Sequence, residues 1–99
     1  MNIREIHENK KQFLPLLLLA DEQEDMIDRY LERGDLFALF DPDLKSLCVV
    51  TDEGKGTCEL KNLATCARSQ GQGYATRLLE HVFRHYSGKY ETILAGTGE

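Results

Sequence analysis

Apolar positions fall along this chain in blocks, and the period of each block predicts an element. Residues 2–6 alternate loosely and read as a short opening strand. Residues 9–19 are apolar and read as helix, with Pro15 set to break or kink it. Asp21 and Glu24 are spaced as a capping box, and Met26, Ile27, Tyr30 and Leu31 follow at helical spacing until Gly34 stops the run. The acid-rich first turn suits the helix dipole and reads as a solvated face. Residues 36–40 and 47–50 are short apolar runs around Asp41-Pro42-Asp43, a strand–turn–strand signal. Glu53-Gly54-Lys55-Gly56 is the next turn and leads into a strand over 57–65. Tyr74, Ala75, Leu78, Leu79, Val82, Phe83 and Tyr86 then line one helix face, Ser87-Gly88 ends that helix, and residues 91–96 return as a strand.

Three strands joined by turns make an antiparallel meander. Strand, helix and strand within one sheet imply a right-handed crossover and a parallel pair. The fold class is therefore α/β: a mixed sheet with helices on its faces, in a single domain over residues 1–99.

Between the 57–65 strand and the helix lies Gln70-Gly71-Gln72-Gly73-Tyr74-Ala75. Two glycines within three residues let the backbone turn sharply and approach a ligand with no Cβ in the way. Amides entering a helix N-terminus converge on one point, where the unpaired N–H groups and the macrodipole favour an anion. The stretch reads as a phosphate cradle. A Walker loop would end in Gly-Lys-Ser/Thr, whereas Tyr74 and Ala75 follow Gly73 here. A dinucleotide fingerprint would place glycine at Thr76 and a near-continuous apolar strand before the loop, where this chain has Glu59, Lys61 and Asn62.

Gln70-x-x-Gly73-x-Ala75 resembles the acyl-CoA-binding signature of the GNAT N-acetyltransferase superfamily, a Gln or Arg followed by x-x-Gly-x-Gly/Ala. Glu59-Leu60-Lys61-Asn62-Leu63-Ala64 is similar to that family's fourth strand, and Ile93-Leu94-Ala95-Gly96-Thr97-Gly98 to its fifth. The order of elements matches along the whole chain, most strongly from Glu59 onward. The resemblance implies acetyl-CoA as co-substrate, its pyrophosphate held by backbone amides around Gln70, Gly71, Gln72, Gly73, Tyr74 and Ala75. It also implies that the pantetheine arm lies along Leu63, Ala64 and Thr65 like an added strand. Many members carry Lys or Arg at the place of Gln72, a charge that Arg68 or Arg77 would replace. The implied activity is transfer of an acetyl group to a primary amine, on a small molecule or a peptide, by direct attack in a ternary complex. The family's chain normally continues through a further strand, helix and strand, often with a Tyr as general acid. This sequence ends at Glu99, so the expectation is a domain lacking that C-terminal part, or one that completes its sheet as a homodimer. The alternative expectation is a module that binds CoA or a protein without catalysis.

Glu59 is the candidate general base, since some family members use a carboxylate at this distance from the signature. An amine must lose a proton before it attacks a thioester, and a carboxylate acting through water can take it. The competing reading is a solvent-facing carboxylate near Lys61. His81 and His85 are four apart but share the polar side with Arg77, Glu80 and Arg84, with no third ligand nearby, so no metal site is expected. Cys66 invites a role as acyl acceptor, but direct transfer needs no enzyme nucleophile.

Composition adds exclusions. A net charge of −5 argues against a nucleic-acid partner, which would call for a clustered basic face. Cys48, Cys58 and Cys66 form neither a C-x-x-C pair nor an even set, which suggests reduced thiols and a cytoplasmic location. The apolar run over 13–20 is too short to span a bilayer, and Glu5 and Glu8 spoil a basic leader, so no membrane partner is expected.

Overall fold

The computed structural model describes residues 1–95 of the chain. Its described strands form one mixed sheet in sequence order: β1 (Asn2–Ile6), β2 (Asp35–Phe40), β3 (Leu44–Gly54), β4 (Thr57–Thr65) and β5 (Thr92–Ala95). The first four pair antiparallel, and β4 and β5 pair parallel over Thr57–Leu60 and Thr92–Ala95. Gly96, assigned by the sequence to the last strand, lies outside the described residues, as do Thr97 and Gly98.

Helices cover both faces, which is why the β2 and β3 runs are apolar throughout rather than alternating. On one face α1 (Leu14–Ala20) and α2 (Glu24–Tyr30) pack Leu16, Leu17, Ile27, Tyr30 and Leu31 against Leu36, Ala38, Leu47, Val49 and Ala64. On the other, α3 (Tyr74–His85) packs Leu78 and Val82, with Tyr86 just beyond it, against Phe37, Leu39, Cys48, Val50, Cys58 and Leu60. Phe83 and Met26, placed by their spacing on the buried faces, are exposed at the rims instead.

The helical run expected over residues 9–19 is divided just before Pro15. A 3-10 turn (Lys10–Phe13) comes first, and α1 starts afresh with Pro15 in its opening turn, where a missing N–H costs nothing. The capping box is not formed. Gln23 precedes α2, while Asp21 closes α1 and turns its carboxylate to the Gln23 amide and the Tyr30 hydroxyl, each at 3.3 Å. Lys10, only 7% exposed, donates its ammonium to the carbonyls of Leu31 (3.2 Å), Glu32 (3.2 Å) and Gly34 (2.6 Å). These carbonyls lie in the turn between α2 and β2.

One irregularity bears on the site. Val50 pairs with Leu60 and Val49 with Asn62, so Lys61 is an extra residue in β4. This bulge turns the alternation over: Cys58 and Leu60 face α3, whereas Ala64 packs on the α1 side and Asn62 reaches the Leu17 carbonyl of α1. No described helix is long and apolar enough to cross a membrane.

Candidate functional site

The glycine loop is built as its residues require. Gly71 and Gly73 have φ of 79° and 85°, the left-handed region that L side chains rarely enter. Gly73 is the cap residue of α3, and no side chain occupies the capping position, so the first amides of the helix are left for another acceptor. No acidic residue lies in that first turn. The loop is closed by side chains on its own backbone: Gln70 Nε2 donates to the Thr65 carbonyl (3.3 Å), and Gln72 Nε2 to that of Arg68 (3.4 Å).

A cavity of about 230 Å³ sits at this loop, lined by Thr65, Ser69, Gln70, Gly71, Gly73, Tyr74, Ala75 and Thr76. The structure thus gathers six of the sequence-derived binding residues at one concavity. Ser69 and Thr76 were missed, though a hydroxyl flanking a glycine loop is a signal that could have named them. Gln72 points back to Arg68, and the Ala64 side chain is packed in the α1-side core, its carbonyl accepting from Ser46 Oγ at 2.8 Å. Leu63 packs against the α3-side core.

The strand before the loop runs between β3 and β5. Among the described residues β5 pairs with β4 through Leu60, opposite Ala95, the last described position, while β3 pairs with the other edge of β4 as far as Thr65. Leu63, Ala64 and Thr65 lead from the bulge to the glycine loop, a path of about 13 Å from Lys61 to Thr65.

Glu59 lies one residue before the last described pair of β4 with β5, opposite Thr51 on β3 and Leu94 on β5. Its carboxylate is ion-paired with Lys61 at 3.0 Å rather than facing solvent alone. Arg77 directs its guanidinium to Met1 Sδ (3.7 Å), and Arg68 is exposed in the turn before the loop. His81 and His85 turn their rings onto Phe37, with centroids 6.3 and 5.2 Å away, instead of standing free on the polar face. Among the described residues no group of side chains is arranged to hold a metal. Cys66 is tied into the sheet: its amide donates to the Lys45 carbonyl (2.8 Å), its thiol to that of Leu44 (3.2 Å). A second cavity, about 360 Å³, is lined by Phe13, Pro15, Leu16, Leu19, Leu44 and Ala67 among others, and its walls are too apolar for an anion.

An uncapped glycine loop between the fourth strand and a helix, with a fifth strand returning parallel, is the arrangement of acetyltransferases to which this chain is similar. No family model matches the chain. A curated relative, the uncharacterized N-acetyltransferase YvbK of Bacillus subtilis (strain 168), is 32% identical over 93 residues, 92% of this chain and 60% of its own length. A GNAT family acetyltransferase from Elizabethkingia anophelis, solved with acetyl-CoA bound, is 30% identical, with a TM-score of 0.89 over 99% of this chain and 65% of that one. A Bacillus subtilis acetyltransferase in complex with CoA is 28% identical, with a TM-score of 0.76 over 85% of this chain and 56% of that one. In fold and sequence together the chain is similar to GNAT superfamily acetyltransferases. It spans about three-fifths of the length of these relatives.

Proposed function

We propose that residues 1–99 work as one acyl-CoA-binding domain, which holds acetyl-CoA and moves its acetyl group to a primary amine. The observation that carries the reading is the uncapped loop at the N-terminus of α3, which follows directly from β4. The pyrophosphate sits on the amides around Gln70, Gly71, Gln72, Gly73, Tyr74 and Ala75. The pantetheine arm runs along Leu63, Ala64 and Thr65 and brings the thioester to the bulge. The 230 Å³ cavity suits a diphosphate rather than the whole coenzyme, as this division of contacts requires.

At the bulge Glu59 takes a proton, through water, from the incoming ammonium. The freed amine nitrogen attacks the thioester carbonyl, the C–S bond breaks, and the CoA thiolate leaves and is protonated from solvent. The location is cytoplasmic, in keeping with three free thiols. The outer edge of β5, beside the exposed Ile93 and Leu94, takes the same strand of a second copy.

The test is a thiol-release assay with acetyl-CoA against a panel of amines, run beside Glu59→Gln. Turnover falls by about 10²–10⁴ in the variant if Glu59 is the base. Unchanged turnover removes Glu59 from that role. Intact binding of CoA with no turnover for any amine favours the second reading, a non-catalytic CoA-binding module, for which the neutralising Glu59–Lys61 pair speaks.

A further inference from the structure

We infer that Lys61 is a positioning residue for the Glu59 carboxylate, an inference that rests on Glu59 being the base. Lys61 is the position by which β4 exceeds β3, with Leu60 and Asn62 taking the partners on either side. A residue left out of the ladder is free of the strict up-and-down alternation, and bulges commonly re-aim a side chain. Here the side chain turns back along its own strand, and its ammonium meets Glu59 Oε1 at 3.0 Å. The two side chains are 26% and 21% exposed, so the pair is shielded from most of the water that weakens surface ion pairs.

The groups around it leave the task to Lys61. Thr51 faces Glu59 from β3, but its hydroxyl is committed to Glu53. Arg33 reaches the same Glu53 at 3.3 Å. From β5 the opposite residue is Leu94, which offers no charge. Among the described residues, Glu59 forms its ion pair with Lys61 alone.

The bulge gives the pair a use. Lys61 is the extra residue of β4 and stands two positions from Glu59, between it and the glycine loop. A carboxylate that is to accept a proton must be held in one orientation. A hydrogen-bonded ammonium fixes one oxygen, leaving the other to the water that carries the proton. Lys61 neither touches the substrate nor gains a proton. It acts through Glu59.

The test measures kcat and the KM for acetyl-CoA in the parent, Lys61→Met, Lys61→Arg, Glu59→Gln and the Glu59→Gln/Lys61→Met double variant. Thermal melts confirm folding, and Lys61→Gln replaces Lys61→Met if the latter does not fold. Lys61→Met is expected to lower kcat roughly tenfold, the lower end of what a hydrogen bond to a charged group contributes, with KM unchanged. Lys61→Arg restores most of the loss, and in the Glu59→Gln background Lys61→Met costs nothing more. Parent-level kcat in Lys61→Met, or an equal loss in both backgrounds, overturns the inference while Glu59 stands as base. Parent-level turnover in Glu59→Gln removes the base itself, and the inference falls with it.

Discussion

The Tyr74 hydroxyl donates to Asp41 Oδ2 at 2.8 Å, joining the first residue of α3 to the turn between β2 and β3. The hydrogen bond to this carboxylate, together with burial, pushes the Tyr74 hydroxyl above its ordinary range. The contact fixes where the helix begins, and therefore where its free amides point. Tyr74→Phe is expected to lower stability slightly and to raise the Kd for acetyl-CoA several-fold, since the side chain no longer anchors the loop. Urea unfolding and calorimetry on the same preparation measure both.

Gly71 and Gly73 must be glycine for their backbone conformation, not for space. A Cβ built on either meets no atom within 4 Å, and both have positive φ. Gly73→Ala should therefore lower stability by roughly 1–2 kcal/mol, and Gly73→Asn by less, because Asn tolerates the left-handed region better. Equal stabilities for all three proteins would mean the loop is not held in this conformation.

Lys10 replaced by Met keeps the apolar stem and removes the donor to three carbonyls. A loss of about 2–3 kcal/mol is expected, with α2 the first element to lose protection in hydrogen exchange. An exposed lysine would show neither effect.

Stability should fall in alkali. Burial pushes the Cys48 thiol from 9.0 to about 12. Burial and then a hydrogen bond to Asp52 push Tyr90 from 10.0 to about 12. Both groups are held neutral by the fold, so their contribution is complete below about pH 9 and is lost as pH rises toward 12. The melting temperature should be level up to pH 9 and then decline. Cys48→Ala should delay the onset of that decline, and Tyr90→Phe should soften it above pH 10. A decline beginning well below pH 9 would assign it to other groups.

Ile93 and Leu94 are 40% and 47% exposed on an edge strand. Sedimentation of the 99-residue chain should show a dimer that Leu94→Lys disperses. A stable monomer with a single cooperative melt would rule out the pairing proposed for β5.

Most of the fold was legible because its elements have clean periods. The apolar runs of β2 and β3 and the α3 face predict a sheet covered on both sides, and the strand–glycine–helix order locates the loop. The bulge at Lys61 left no trace in composition: Cys58, Leu60, Asn62 and Ala64 read as one face, yet the structure divides them between two. Asn62, fully buried, carries that change, donating to the Leu17 carbonyl (3.1 Å) and the Tyr30 hydroxyl (3.0 Å). Lys10 was equally hidden, since a lysine reads as solvent-facing until its carbonyl partners, more than 20 positions away, are known. The Asp21 pattern misled because spacing alone cannot reveal that Tyr30 competes for the carboxylate.

The central claim is that the 70–75 loop holds the diphosphate of acetyl-CoA, and titration calorimetry tests it directly. The parent chain should bind acetyl-CoA saturably, in preference to NADH or ATP. Gly73→Asp should abolish binding, because its carboxylate would crowd and repel the diphosphate at the helix N-terminus. No binding by the parent, equal binding by a folded Gly73→Asp, or a preference for NADH or ATP would contradict the assignment.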